Sequence, residues 1–167
     1  MLKESSINNQ KVVILNWEDI NKFCVKLAYL IKESSYLPEI IVGIQRGGCI
    51  PAVLLSHLLN VENFCSLGIK TTKSEQIRSP RKEPILFCDY SLEAVEGKNA
   101  LIVDDVINTG TTLIEAKKRV IRYGSKDVKT AVMILDKIGF QKCNADYIGI
   151  DVNAWVIFPW ENLDFKF

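Results

Sequence analysis

The sequence predicts an α/β fold in which an open, mostly parallel, twisted sheet is flanked by helices. Short apolar runs typical of buried strands alternate with longer segments whose apolar residues recur at helical spacing. Two of the strand-to-helix junctions carry glycine-containing polar loops, at residues 46–48 and 108–112. Such loops at the carboxyl ends of parallel strands form the edge where open α/β sheets bind ligands. The chain is expected to be one domain, 1–167, large enough for a substantial core.

The first half of the chain predicts strand, helix, strand, helix and strand, after a polar, frayed segment at residues 1–10. The expected bounds are 12–15, 17 to about 34, 39–45, about 50 onward, and 63–70. Asn16 is the expected N-cap of the first helix, with Asp19 in its first turn. His57 is the single histidine, and its place among helical leucines indicates a structural role rather than a catalytic one.

The second half predicts two strands, a helix and a last buried strand. The expected bounds are 85–89, a strand that begins at 99 after a turn within 92–98, 112–123, and 127–135. Gly124 is the expected stop of the third helix. Residues 71–84 are polar and rich in lysine and arginine, which predicts a mobile lid that closes over a polyanionic substrate. The last thirty or so residues are less regular and rich in aromatic side chains.

The junction at residues 100–113 has the residue types of a sugar-phosphate site. A buried strand at 100–103 ends in two carboxylates, Asp104 and Asp105, and a polar loop leads into a helix. The polar residues of the loop and helix start are Asn108, Thr109, Gly110, Thr111 and Thr112. A helix N-terminus suits a phosphate because its N–H groups lack partners and its dipole is positive. Two acids beside a phosphate fit a ligand that also carries hydroxyl groups or a divalent cation.

A second anion site is predicted where the strand at 39–45 runs into Arg46, Gly47 and Gly48. Backbone N–H groups, the dipole of the following helix and a guanidinium group would meet there. The sequence therefore places two anion-binding junctions about sixty residues apart.

Composition narrows the class of protein. The net charge of +1 argues against a general nucleic-acid binder and against a membrane-surface protein. Five scattered cysteines with no CxxC pair argue against zinc and disulfide frameworks. The first ten residues lack an apolar signal region and no stretch reaches transmembrane length, so a cytoplasmic enzyme is expected. Neither GxxxxGK[ST] nor GxGxxG is present, which disfavours P-loop and dinucleotide-binding enzymes.

Two motifs carry a resemblance to the type I phosphoribosyltransferases. VDDVINTGTT resembles their ribose-phosphate signature, and GIQRGGCIPA resembles the pyrophosphate loop of their 6-oxopurine branch. The resemblance implies the type I phosphoribosyltransferase fold and phosphoribosyl pyrophosphate as a substrate. It implies that Asp104 and Asp105 engage the ribose hydroxyls and a Mg²⁺ ion. The residues 109–112 would cradle the 5′-phosphate, and Arg46 with Gly47 would hold the pyrophosphate.

The C-terminal segment resembles the small hood of the xanthine-guanine enzymes, whose Trp-x-x-x-Pro-Trp-acid run is matched by WVIFPWE. This resemblance implies that Lys137 binds the purine 6-oxo group and that Trp155 stacks on the base. Backbone groups near Val156 and the Glu161 carboxylate are further expected contacts, and Glu161 is also an expected Mg²⁺ ligand. The expected division is a core at about 11–136 and a hood at about 137–167 together with the N-terminal segment.

One residue departs from the family pattern. Asn108 stands where 6-oxopurine enzymes usually carry an aspartate that exchanges a proton with purine N7, and an amide near neutral pH can only form hydrogen bonds. The leading hypothesis is Mg²⁺-dependent phosphoribosyl transfer to N9 of guanine, xanthine or hypoxanthine in purine salvage, by a homodimer or homotetramer. Asn108 stays among the expected catalytic and phosphoribosyl pyrophosphate-binding residues. The alternatives are a phosphoribosyltransferase for another base, or a regulator that binds phosphoribosyl pyrophosphate or nucleotides without catalysis.

Overall fold

The computed structural model describes residues 3–7, 10–71, 84–89, 91–137 and 145–161. The elements within them are β1 (Lys3–Ile7), β2 (Gln10–Ile14), α1 (Trp17–Glu33), β3 (Ile40–Gln45), α2 (Cys49–Leu59), β4 (Phe64–Thr71), β5 (Pro84–Cys88), a short 3-10 helix (Leu92–Val95), β6 (Asn99–Ile107), α3 (Thr111–Arg122), β7 (Asp127–Asp136), β8 (Tyr147–Val152) and β9 (Trp155–Ile157).

Six of the strands form the main sheet, in the order β5-β4-β3-β6-β7-β8. Neighbouring strands are parallel except β4 and β5, which pair antiparallel at one edge. The central strands β3 and β6 are buried along most of their length, as strands covered by helices on both faces must be. The predicted fold class, an open and mostly parallel sheet flanked by helices, is confirmed.

The helices cover the two faces of this sheet. α1 and α2 share one core cluster with Leu101 of β6, whereas α3 packs in a second cluster with Ile102, the next residue of the same strand. Successive side chains of a strand point to opposite faces, so the two clusters lie on opposite sides of the sheet. α1 begins where the sequence predicts, because Asn16 Oδ1 accepts from the Asp19 N–H at 2.9 Å and Asp19 Oδ2 accepts from the Asn16 N–H at 3.1 Å.

A second, three-stranded sheet has the order β1-β2-β9 and unites segments from the two ends of the chain. β1 and β2 pair antiparallel, and β9 joins β2 in parallel with Val156 opposite Val13. Val13, Val156 and Phe158 are buried in the same cluster as α1 and α2. The small sheet is therefore held to the main body through the α1 side of the core.

Three features differ from the sequence predictions. The sequence predicts frayed residues at 1–10, but Lys3–Ile7 is a strand because β2 provides its backbone partners. The hood is predicted to start at 137, but β8 (Tyr147–Val152) instead extends the main sheet beside β7, with Tyr147 and Val152 buried. The strand carrying the two acids continues past them to Ile107, since its ladder with β7 extends that far.

The predicted lid at 71–84 falls almost wholly outside the described residues. Its two ends, Thr71 and Pro84, are opposite each other in the β4–β5 ladder. Among the helices that the structure describes, none combines the length and apolar character that a membrane crossing requires.

Candidate active site

The order of the main sheet creates a crevice between β3 and β6. From β3 the chain passes through α2 to β4 on one side, and from β6 it passes through α3 to β7 on the other. Because these two connections leave in opposite directions and on opposite faces, neither of them covers the gap between the two strand ends. Both glycine-containing junctions predicted from the sequence follow these two strands, so they meet at the crevice.

The end of β6 places two carboxylates at this crevice. Asp104 is 9% exposed, and its Oδ1 accepts from the Asp105 N–H at 3.0 Å. Asp105 is half-buried, and its Oδ1 accepts from the Val106 N–H at 2.8 Å. Burial raises the pKa of Asp105, and the nearby charge of Glu161 adds to that rise against the lowering effect of its hydrogen bonds. The site thus concentrates negative charge where a cation or several hydroxyl groups would relieve it.

The loop after β3 lies directly against the end of β6. A Cβ atom at Gly47 would collide with the Asp105 carboxylate, whose Cγ would be only 2.7 Å away. A Cβ at Gly48 would be 2.7 Å from the Ile44 carbonyl oxygen, 2.8 Å from that of Val103 and 2.9 Å from Asp104 Cα. Only residues without a side chain allow this approach. Gly48 belongs to the predicted anion-binding junction, but its close packing against Val103 and Asp104 is a contact between strands that the sequence does not indicate.

Arg46 and Cys49 flank the two glycines. The peptide bond between Gln45 and Arg46 is cis, and the Arg46 side chain is exposed at the mouth of the loop. Burial raises the pKa of the Cys49 thiol, and the charges of Asp104 and Asp105 raise it further. Cys49 therefore lies close to both carboxylates, at the first position of α2.

The opposite wall is the N-terminus of α3. Gly110 is its N-cap, with φ of 79°, in the left-handed region that glycine adopts without strain. The Thr109 and Thr111 hydroxyl oxygens lie 3.0 Å apart and form a hydrogen bond, and Thr112 is half-buried in the first turn. The amide groups that open this helix supply donors for an anion. Thr109, Gly110, Thr111 and Thr112 thus lie together at this N-terminus, and their binding of a phosphate stays a prediction.

Asn108 and Lys137 lie where β6 and β7 end. The Asn108 Nδ2 group donates to Asp136 Oδ2 at 2.6 Å. Lys137 follows Asp136 directly, and its Nζ forms an ion pair with Asp151 Oδ2 at 2.8 Å, with both side chains about half exposed. Asp136 carries no signal of its own in the sequence, because only the register of β6 against β7 places it beside Asn108.

The hood contributes the C-terminal candidates. Trp155 and Val156 lie on β9, where they pair with Val12 and Val13 of β2. Trp155 is half-buried, whereas the Val156 side chain is buried and leaves only its backbone for a ligand. Glu161 Oε2 accepts from the Phe158 N–H at 3.2 Å, which closes the turn after β9. The charge of Glu161 also contributes to the raised pKa of Asp105, after the larger effect of burial.

The donor set fits a magnesium ion that is shared with a phosphate ligand. In the described part of the chain, no group of three or more metal-ligating side chains is close enough to hold an ion by itself. Mg²⁺ is usually bound by one or two carboxylates together with substrate phosphates and water, so a third protein ligand is not required. Asp104 and Asp105 are neighbours beside the two glycine-containing loops, so their carboxylates fit that pattern of ligands.

Known proteins resemble this chain over most of its length. Residues 8–164 match the phosphoribosyl transferase domain. The hypoxanthine-guanine phosphoribosyltransferase of Schizosaccharomyces pombe is 28% identical over 191 residues, covering 90% of this chain and 89% of that protein. The transcriptional regulator GfcR 1 of Methanosarcina barkeri is 26% identical over 148 residues, covering 82% of this chain and 70% of the regulator.

A solved structure extends the comparison to three dimensions. The crystal structure of the purine phosphoribosyltransferase from Pyrococcus horikoshii superposes with a TM-score of 0.74 at 31% identity, covering 90% of this chain and 93% of that one. The resemblance drawn from the two sequence motifs is confirmed, and this chain belongs to the phosphoribosyl transferase domain family.

Proposed function

We propose that the protein is a purine phosphoribosyltransferase, a glycosyltransferase of purine salvage. It transfers the phosphoribosyl group of phosphoribosyl pyrophosphate to N9 of guanine, xanthine or hypoxanthine. The observation that carries the proposal is the meeting of two anion-binding loops on either side of Asp104 and Asp105. Phosphoribosyl pyrophosphate fits this arrangement of loops and carboxylates. It has a phosphate at one end, a pyrophosphate at the other and ribose hydroxyls between them.

Each loop would bind one part of that substrate. The first turn of α3, with Thr109, Thr111 and Thr112, binds the 5′-phosphate through amide and hydroxyl donors. The loop at Arg46 and Gly47 binds the pyrophosphate, and the exposed Arg46 side chain offers its guanidinium to it. The two carboxylates accept hydrogen bonds from the ribose hydroxyls, which lie between the two phosphate groups.

In the reaction, the bond between C1′ and the pyrophosphate oxygen breaks and its electron pair leaves with the pyrophosphate. The lone pair of the base nitrogen forms the new bond to C1′, and the base then loses one proton to solvent water, because the Asn108 amide cannot accept it. Positive charge develops on the ribose ring, beside Asp104 and Asp105, so their carboxylates stabilise the transition state. The loops hold donor and base in line, which removes much of the entropic barrier. A bound Mg²⁺ would neutralise charge on the pyrophosphate oxygens.

Base recognition is assigned to the ends of β7 and β9. The Lys137 ammonium donates to the 6-oxo group, and Trp155 provides an aromatic surface for the ring. The ion pair of Lys137 with Asp151 is half exposed and therefore weak, so little free energy is lost when the Lys137 ammonium turns to a ligand. Val156 would contribute backbone groups, because its side chain is buried.

The cellular setting is part of the proposal. Four cysteines in the described residues, Cys24, Cys49, Cys65 and Cys88, are free thiols, which fits a reducing cytoplasm. The side chains of Ile85 and Phe87 on the edge strand β5 are 56% and 58% exposed, which favours a homodimer or homotetramer that covers them. Light scattering coupled to size-exclusion chromatography measures that assembly state.

The test is a spectrophotometric assay with phosphoribosyl pyrophosphate and Mg²⁺ against guanine, xanthine, hypoxanthine, adenine, uracil and orotate. We expect turnover of at least one 6-oxopurine. The paired substitution Asp104→Asn with Asp105→Asn should abolish that turnover and leave the thermal midpoint within a few degrees of the wild type. Wild-type rates in this double variant would contradict the roles assigned to the carboxylates.

A second function is favoured by Asn108 and by the similarity to a transcriptional regulator. An amide at this position cannot remove a proton, and a binding protein has no need to do so. In that case all six bases would stay unconverted, while calorimetry would still show binding of phosphoribosyl pyrophosphate. That pair of results would replace the enzyme proposal with a ligand-sensing regulator.

A further inference from the structure

Asn108 and Asp136 form a short contact between two neighbouring strand ends. The Asn108 Nδ2 group donates to Asp136 Oδ2 at 2.6 Å, and the Asp136 side chain is only 8% exposed. In the parallel ladder of β6 and β7, Ile107 is opposite Leu135, so the two residues that follow emerge at the same edge. A hydrogen bond to a buried carboxylate at this distance belongs to the strong, charge-assisted class.

The chemistry of the two groups fixes the orientation of the amide. A carboxylate only accepts hydrogen bonds, whereas an amide has one donating nitrogen and one accepting oxygen. The nitrogen of Asn108 must therefore face Asp136, and its carbonyl oxygen is left on the other side of the planar group. An aspartate at position 108 would instead place two carboxylates in contact, and repulsion would drive a proton onto one of them.

The pair lies between the two halves of the proposed site. The residue after Asn108 is Thr109, which begins the phosphate-binding turn, and the residue after Asp136 is Lys137, which is assigned to the base. A group held between these two positions faces the junction of ribose and base. The carbonyl oxygen of Asn108 is then available to the ring of the base that reacts at the ribose.

We propose, on the basis of the function proposed above, that Asp136 is a positioning residue that locks the Asn108 amide with its oxygen toward the base. The oxygen accepts a hydrogen bond from the N–H at position 7 of the purine, which leaves N9 with the lone pair that attacks C1′. As the N9–C1′ bond forms, the bond from C1′ to the pyrophosphate oxygen breaks and the pyrophosphate leaves with its electron pair. The proton at position 7 then passes to solvent water, because the Asn108 amide cannot take it. The carboxylate also draws the amide N–H toward itself, which makes the amide oxygen a stronger acceptor. Asn108 and Asp136 thus act together. Asn108 contacts the base, and Asp136 on the neighbouring strand β7 carries the negative charge.

The test compares Asp136→Asn with Asp127→Asn, the same substitution at the exposed opposite end of β7. Loss of a charge-assisted hydrogen bond corresponds to roughly a tenfold change or more, so Asp136→Asn should lower kcat/KM for hypoxanthine by at least about tenfold. The KM for phosphoribosyl pyrophosphate should stay within about twofold. Asp127→Asn should behave as the wild type in both respects.

Two further measurements separate this role from a purely structural one. 7-Deazahypoxanthine lacks the nitrogen at position 7, so its inhibition constant should change little in Asp136→Asn while hypoxanthine binding weakens. The reciprocal exchange, Asn108→Asp with Asp136→Asn, restores an amide–carboxylate pair and should recover kcat/KM to within a few-fold of the wild type. This exchange also serves if Asp136→Asn alone does not fold.

The outcomes are distinct for the two proposals. An active wild type whose Asp136→Asn variant keeps its kcat/KM for hypoxanthine would overturn the positioning role and leave the proposed function intact. Equal weakening of hypoxanthine and 7-deazahypoxanthine would also overturn it, as would a reciprocal exchange that recovers nothing. A wild type that converts no base would overturn the proposed function and this inference together.

Discussion

Two alanine substitutions at adjacent glycines of the β3–α2 loop should differ in their main effect. Gly48→Ala should mainly reduce stability, whereas Gly47→Ala should mainly reduce activity. At Gly48 the new Cβ meets backbone atoms of β3 and β6, at 2.7 Å from the Ile44 oxygen and 2.8 Å from the Val103 oxygen. The ladder hydrogen bonds hold β3 and β6 together, so moving these strands apart costs free energy. At Gly47 the Cβ meets the end of the Asp105 side chain, which can rotate away.

The magnitudes follow from these contacts. Overpacking costs about 1–3 kcal/mol, and several rigid contacts place Gly48→Ala near the upper end, at about 3 kcal/mol. At about 2–4 °C per kcal/mol for a chain of this size, the thermal midpoint should fall by about 6–12 °C. Gly47→Ala should cost about 1 kcal/mol, or about 2–4 °C, since the hydrogen bond from the Val106 N–H to Asp105 is lost.

Gly47→Ala should lose much more activity than its small loss of stability suggests. Moving the Asp105 carboxylate by about 1 Å is expected to reduce kcat/KM by about 10²-fold, although the protein remains folded. Thermal unfolding by circular dichroism and steady-state kinetics measure the two effects on the same samples. Gly43→Ala, on the preceding strand β3, is the control. Its Cβ would lie 3.1 Å from the Ala52 Cβ and 3.2 Å from Cys49 Cα, so it should give an intermediate loss of stability without displacing a carboxylate.

Two results would refute this reasoning. A Gly48→Ala variant that melts within about 2 °C of the wild type would mean that the strand ends separate easily, against the overpacking cost expected here. A Gly47→Ala variant with full kcat/KM would mean that the position of the Asp105 carboxylate is unimportant for turnover.

Further predictions concern charge and ligands. Because burial and the charges of Asp104 and Asp105 raise the pKa of Cys49, its alkylation by iodoacetamide at pH 8 should be slow, and replacing both acids with asparagine should accelerate it in peptide-resolved mass spectrometry. Burial opposes ionisation of Asp146, but its hydrogen bonds outweigh this and lower its pKa. The stabilisation is therefore present above the unfolded pKa and is lost as the pH falls through the folded pKa, so the difference in thermal midpoint between wild type and Asp146→Asn should shrink from pH 7 towards pH 3. Lys137→Ala should raise the KM for the base about tenfold or more while the thermal midpoint changes by less than about 4 °C, because its ion pair is half exposed. Chelation of Mg²⁺ should abolish turnover without changing the thermal midpoint of the protein alone, and residual turnover in excess chelator would count against a metal-assisted reaction.

The sequence is sufficient to predict the parts of the fold that depend on local pattern. Apolar runs and helical periodicity locate β3, β6, β7 and the three helices to within a few residues. Asn16 marks the start of α1 because its cap is a contact between residues three apart. The strands that sequence patterns do not predict depend on distant partners. β1 is polar and exists as the neighbour of β2, and β9 is three residues long and is aligned by β2.

The site shows the same division between local and distant information. The phosphate-binding turn and the acidic pair are contiguous in sequence, so their chemistry can be inferred from the order of residues alone. The contact of Gly48 with Val103 and the bond from Asn108 to Asp136 join different strands. They become predictable only when the order of the strands and the register of β6 against β7 are given.

The contact between Asn108 and Asp136 also changes how the departure from the family pattern is interpreted. Considered alone, an asparagine at 108 removes a carboxylate from the signature and favours a binding protein over an enzyme. Beside the buried Asp136, the same asparagine is the residue that avoids a clash of two negative charges and still presents an acceptor. The sequence motif after β6 lacks the family's carboxylate at 108, but Asp136 at the end of the neighbouring β7 places a carboxylate beside that position. The reciprocal exchange of the two residues decides between these interpretations, because it places the family's aspartate at 108 without bringing two carboxylates into contact.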